Sequence, residues 1–176
     1  MLMMDGYSLN GATGSAREYF DAQFGGKVSF QFDVSEIVTL GRDLAHYGGN
    51  VSSSAGVESD RAAADMIYEA CELADATVDF AKYDDDGDGE VDNVFVFFAG
   101  RDEAEGGDED CVWSHSWYVR DGAGRNLILD GVRINRYACA SELRLSDNNQ
   151  VTMASIGTFC HEYAHTLGLP DLYDTD

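Results

Sequence analysis

The chain has 176 residues, 44% of them hydrophobic, enough for one domain with a real core. Its 33 acidic residues against 11 basic ones leave a formal charge of -22, which argues against nucleic acid and anionic membranes as partners and favours divalent cations. No stretch is long and apolar enough to span a membrane, and residues 1–14 lack the basic and apolar regions of a signal peptide.

Ser15 is placed to cap a helix over residues 16–24, closed by Gly25-Gly26. Residues 27–34 alternate Val28, Phe30, Phe32 and Val34, the pattern of a half-buried strand. A second short extended piece is expected at 37–40. Residues 48–56, rich in Gly, Ser and Asn, read as loop. A long helix is predicted over 60–80, with Met66, Ile67, Ala70, Leu73, Ala74 and Thr77 on its inner face. The apolar run at 94–99 suits a central strand covered on both sides. Residues 101–110 are acidic and read as an exposed loop. Strands are predicted at 111–119 and 132–140, with a turn at 121–125 between them. The order of elements predicts a mixed α/β sheet with helices packed on it, in a single domain over residues 1–176.

Between the long helix and the apolar strand lies Asp84-Asp85-Asp86-Gly87-Asp88-Gly89-Glu90-Val91-Asp92. Asp84, Asp86 and Asp88 alternate, and Gly89 follows where a sharp turn is needed. These are positions one, three, five and six of a calcium loop, with the Glu90 carbonyl at seven and Asp92 at nine. Phe95 stands where the usual bidentate glutamate belongs, and a strand follows instead of a second helix. The prediction is a DxDxDG loop holding a structural Ca2+ outside an EF-hand; the competing reading is a solvated acidic turn.

A helix over 155–167 is predicted from the three- and four-residue spacing of Ile156, Phe159, Cys160, Tyr163 and Leu167. Gly168 ends it and Pro170 prevents its resumption. His161 and His165 lie one turn apart on one face, able to grip one Zn2+. Glu162 points elsewhere around the helix, the place of a general base. The reversal at Gly168 carries Asp171 back as third ligand, which leaves the fourth position open as catalytic zinc requires. Read together as H-E-x-x-H-x-x-G-x-x-D, the segment predicts Zn2+-dependent hydrolysis.

Cys71, Cys111, Cys139 and Cys160 include no CxxC pair, which argues against a cysteine zinc site. They permit two disulfides in any of three pairings, or four buried thiols, with the balance toward thiols. His115, between two tryptophans, is read as packed and not as a ligand. The strand at 132–140 is placed at the cleft edge, where it would pair with an extended substrate.

These residues resemble the immune inhibitor A family of secreted bacterial zinc metallopeptidases. The matching pieces are Asp5-Gly6-Tyr7-Ser8 with Gly11-Ala12-Thr13-Gly14-Ser15, the acidic loop and strand from Tyr83 to Val96, Trp113-Ser114-His115-Ser116-Trp117, and His161 through Asp174. The resemblance implies a metzincin-like zincin fold, a mixed twisted sheet with a long backing helix and an active-site helix. It implies a secreted or cell-surface endopeptidase acting on protein substrates, with zinc on His161, His165 and Asp171 and Glu162 as base. It also implies a methionine-bearing turn after the third ligand and a strand before the first residue, so the chain is expected to be truncated after that ligand. Two rival readings are a non-catalytic, calcium-stabilised surface module with a degenerate zinc site and a zinc hydrolase for non-peptide bonds.

Overall fold

Ser15 caps the first helix as its sequence predicts. Its hydroxyl accepts the Glu18 N–H at 3.1 Å while the Glu18 carboxylate accepts the Ser15 N–H at 2.7 Å, a reciprocal box that opens α1 (Ala16–Gln23). The computed structural model describes residues 13–171 apart from 53, 55 and 57. The segments quoted above at 5–12 and 172–174 lie outside them.

From α1 the chain runs through α2 (Leu44–Gly48), β1 (Asn50–Ser52), β2 (Glu58–Asp60), α3 (Ala63–Ala74) and a 3-10 turn (Phe80–Tyr83). It continues through β3 (Val94–Arg101), β4 (His115–Tyr118), α4 (Val119–Ala123), β5 (Leu127–Leu129), β6 (Val132–Ile134), β7 (Arg136–Leu145), β8 (Val151–Met153) and α5 (Ile156–Thr166). The main sheet orders β3-β7-β4, with β8 pairing the far end of β7. β3 runs parallel to β7, whereas β4 and β8 are antiparallel to it. The result is the mixed α/β fold that the order of elements predicts.

β7 carries the two faces. Tyr137 and Cys139 enter a core built with Met66, Ile67 and Cys71 of α3. Ala138 and Ala140 alternate onto the opposite face, buried and small, so that α5 can lie close. β3 does the same with larger groups. Phe98 joins the α3 core, while Phe95 joins Phe20, Phe159 and Tyr163 under α5.

Several local expectations are corrected. No strand forms at 27–34 or at 37–40. Phe30 and Phe32 instead pack edge-on against Tyr163 at 5.7 and 5.4 Å, so their alternation records packing without strand pairing. Ile37 is 99% exposed. The loop expected at 48–56 contains β1, which pairs with β2 as a hairpin, and α2 precedes it. The long helix is confined to α3, on which Leu73 lies exposed, and Thr77 falls in the exposed turn beyond it. β3 is only partly covered, with Phe97 42% exposed, and stands at an edge of the described sheet, while β7 holds the centre. The strand predicted at 132–140 is split into β6 and β7 by a break at Asn135, and its second part cannot be a cleft edge. The expected turn at 121–125 is the helical turn α4, and the strand at 111–119 shrinks to β4.

All four cysteines are free thiols. Burial pushes Cys71 and Cys160 up to about 12, which keeps them protonated and unreactive at neutral pH.

Candidate active site

The site is built on α5. Ser155 caps it, accepting the Gly157 N–H at 3.4 Å, and Phe159, Cys160 and Tyr163 seat it against the aromatic layer. At its far end Arg136 of β7 binds the Thr166 carbonyl, and Asn93 binds the Thr166 hydroxyl, so the helix is held at both ends. Gly168 then takes φ +89°, a left-handed conformation that side chains resist. The reversal returns the chain over the helix, with the Leu169 N–H on the Ala164 carbonyl at 3.1 Å.

That turn brings Asp171 to the histidines. His161 Nε2 and His165 Nε2 lie 3.3 Å apart, and Asp171 Oδ1 lies 3.3 Å from the first and 3.2 Å from the second. A tetrahedral zinc with bonds of about 2.0–2.1 Å sets its ligand atoms about 3.3 Å apart. Three donor atoms, two imidazole nitrogens and one carboxylate oxygen, therefore stand at three corners of such a tetrahedron, and the donor set suits Zn2+. His165 Nδ1 is 2.8 Å from the Leu169 carbonyl. Donation there fixes the tautomer that presents Nε2 to the metal position.

Glu162 faces the other way, as its place on the helix requires. It is 7% exposed, and its Oε1 is 3.9 Å from His161 Nε2. Burial pushes its carboxyl up to about 7, with His165 pulling down and Asp171 and Asp102 pushing up. A carboxyl poised near neutrality, beside the ligands and not among them, can accept and return a proton.

Two pockets flank this centre. One, of about 310 Å³, is lined by Ser116, Trp117, Tyr118, Arg136, His165 and Asp171. The other, of about 320 Å³, is lined in part by Glu105, Trp113, Thr158, His161 and Glu162, with Asp102 at its base. β4, the edge strand of the described sheet beside α5, carries Trp117, and Trp113 precedes it by two residues.

The segment read as an exposed acidic loop, 101–110, is the wall of the second pocket. Asp102 is fully buried in it, accepting the Ser114 hydroxyl and the Glu105 N–H, the latter at 2.5 Å. Burial pushes Asp102 up, and these donors oppose the shift. Glu105 ties the wall to the first turn of α5 by accepting the Thr158 hydroxyl. Glycine at 48 lets α2 pass this segment, because a Cβ there would lie 2.3 Å from the Cys111 carbonyl carbon. Behind the wall, Asp60 accepts the Trp113 N–H at 3.1 Å, and burial pushes its carboxyl up to about 7.

His115 lies within the sheet layer and is not among the gathered donors. Its Nε2 is 2.8 Å from the Tyr137 hydroxyl and its Nδ1 2.6 Å from the Trp113 carbonyl. Burial lowers its pKa and holds it neutral. Asp102, Glu105 and Thr158 carry no motif that the sequence displays. Trp113 and Trp117 did carry a signal, their symmetric spacing about His115.

In the acidic loop, Asp84, Asp86 and Asp88 bring one carboxylate oxygen each within 4.8 Å of one another. Their oxygens also accept the loop's own N–H groups, with Asp84 receiving Asp88 and Gly89 at 3.0 Å. Glu90 turns its side chain to Arg133, and Asp92 accepts the Asp85 N–H at 3.1 Å.

A family model described as the immune inhibitor A peptidase M6 catalytic domain matches residues 1–176. The chain is 30% identical over 185 aligned residues to the pre-pro-metalloprotease PrtV of Vibrio cholerae serotype O1, covering 92% of the chain and 19% of that protein. It is 26% identical over 178 residues to immune inhibitor A of Bacillus thuringiensis subsp. alesti, covering 91% of the chain and 26% of that protein. The chain thus spans between a fifth and about a quarter of the length of these curated relatives.

Proposed function

The chain belongs to the immune inhibitor A peptidase family M6, and from that premise we propose that it carries the catalytic centre of a zinc endopeptidase acting on proteins. The observation that supports this most is the convergence of His161, His165 and Asp171 on one point, with buried Glu162 beside them. Those three residues would hold the ion. When bound, zinc would supply a Lewis acid for the scissile carbonyl and lower the pKa of water.

The chain's own residues do the remainder. Glu162 accepts the proton of the attacking water and hands it to the leaving amine. Its burial keeps bulk water from competing for that proton. The Leu169 carbonyl keeps the His165 ring in register. β4 offers the unpaired side of an edge strand to an extended peptide, which main-chain hydrogen bonds would align across the site. This moves the substrate-pairing role from β7, which both β3 and β4 flank, to β4. Among the described residues no helix is long and apolar enough to cross a membrane. We read the parent protein as exported, and the large negative charge suits a protein kept soluble outside the cell.

The direct test uses the full-length protein. Metal analysis should find zinc, and casein should be degraded at internal bonds. A zinc-loaded protein that leaves casein intact would defeat the peptidase reading.

We also propose that Asp84, Asp86 and Asp88 hold a structural Ca2+, with the Glu90 carbonyl and Asp92 completing the set. The gathered carboxylates support it, since they repel one another without a cation. Calorimetry at neutral pH should show calcium binding that Asp86→Ala removes, with a lower Tm in calcium for the variant. Absence of binding, or an unchanged Tm, would reject the site.

A further inference from the structure

The two pockets beside the metal ligands differ in electrical character. The pocket containing Trp117 and Tyr118 has one cationic side chain, Arg136, whose guanidinium carbon lies 5.8 Å from the Tyr118 ring centre. Among the described residues its only carboxylate is Asp171, which belongs to the proposed metal set. The opposite pocket has three carboxyl groups, Asp102, Glu105 and Glu162, of which burial pushes the first and last up, and its wall adds further acidic residues. Between Arg101 and Asp110 six residues are acidic (Asp102, Glu103, Glu105, Asp108, Glu109, Asp110) and one is basic. Arg144 approaches Glu105 at 3.8 Å from behind and offsets one charge of the group.

The second pocket is also a shaped receptor. Trp113, 50% exposed, is part of its lining and offers aromatic surface there. Glu162 is buried against it with no hydrogen bond among the described residues. Glu105 is held in place by Thr158, so its charge is fixed and not free to swing away. An aromatic face beside anchored carboxylates in a low-dielectric recess is what a long cationic side chain needs: its stem covers the ring and its charge meets the carboxylate. Field lines focused by one sign of charge strengthen the preference.

Building on the peptidase reading, we propose that the pocket between Trp113 and Glu105 selects a lysine or arginine side chain next to the scissile bond, with Glu105 as the specificity-determining residue. The cleft is polarised end to end. A substrate with a cationic residue on the Glu105 side, and an acidic or apolar one on the Arg136 side, matches it in charge. Inverting those charges would place like against like at both ends.

The test is cleavage of a set of quenched peptides by the full-length protein, with Lys, Ala or Glu scanned through each position around the cut. One subsite should prefer Lys over Glu by about tenfold or more in kcat/KM. Glu105→Gln keeps the acceptor for Thr158 and removes the charge; it should reduce that preference to about threefold or less. Ala104→Lys, at an exposed position on the same wall, should reduce or invert the preference without touching the Glu105 anchor. Equal cleavage of Lys and Glu peptides, or an unchanged preference in both variants, overturns this assignment and leaves the peptidase reading standing. No cleavage of any peptide overturns both.

Discussion

Glu162→Gln in the full-length protein is expected to keep its zinc and lose about 10²–10⁴-fold in casein cleavage. The substitution is nearly isosteric and removes only the ability to accept a proton. Glu162 is not one of the gathered ligands: His161, His165 and Asp171 supply those atoms within 3.2–3.3 Å of one another, and Glu162 stands 3.9 Å from His161 Nε2. Its burial penalises the charged carboxylate more than a neutral amide. Stability should therefore hold or rise slightly, because a desolvated carboxylate is replaced. Metal content and activity must separate in this variant. Cleavage at the wild-type rate would remove Glu162 from the mechanism, and a loss of zinc would make it a ligand.

The largest effect on stability is expected at Phe159. Phe159→Ala should cost about 3–5 kcal/mol, measured by urea unfolding. The ring is 1% exposed, and four others surround it: Phe95 at 4.5 Å, Tyr163 at 5.5 Å, and Phe32 and Phe97 at 5.7 Å each. Those four come from α5 itself, from β3 and from the unpaired segment after α1. No single neighbour can relax into the void without leaving another contact. Phe159 also precedes His161 by two residues, so loosening it loosens the ligand helix. Ile37→Ala, at a 99% exposed position, is the control and should stay within about 0.5 kcal/mol. Equal effects at the two positions would contradict this account of the aromatic layer.

The parts of the molecule legible in sequence are those whose cause is local. α5 announces itself by its period and the Gly168 stop, and α1 by the Ser15 cap and the Gly25-Gly26 closure. The metal donors fall within eleven residues, so their spacing alone predicts their meeting. Where a long-range partner decides, the reading fails. Phe30 and Phe32 alternate as a strand would, yet no strand lies beside them and α5 receives their rings. The Gly, Ser and Asn of 48–56 signal a turn correctly but hide the hairpin arms, which depend on pairing β1 with β2. Asp102 looks like one acid among many in a solvated run. Its burial depends on Ser114, twelve residues away, and its neighbour Glu105 depends on Thr158, fifty-three residues away. The pocket wall was therefore invisible for the reason that the ligand set was plain.

That contrast has a consequence for how the protein comes apart. Closing a loop of eleven residues costs little chain entropy, so the three donors can meet whenever α5 and its turn exist. The environment of Glu162 demands the sheet, the aromatic layer and the acidic wall together. On the proposed mechanism, metal capture would be a short-range event and proton transfer a long-range one. On gentle denaturation, activity should disappear before the ion is released, and a zinc-bound sample is no proof of a working one.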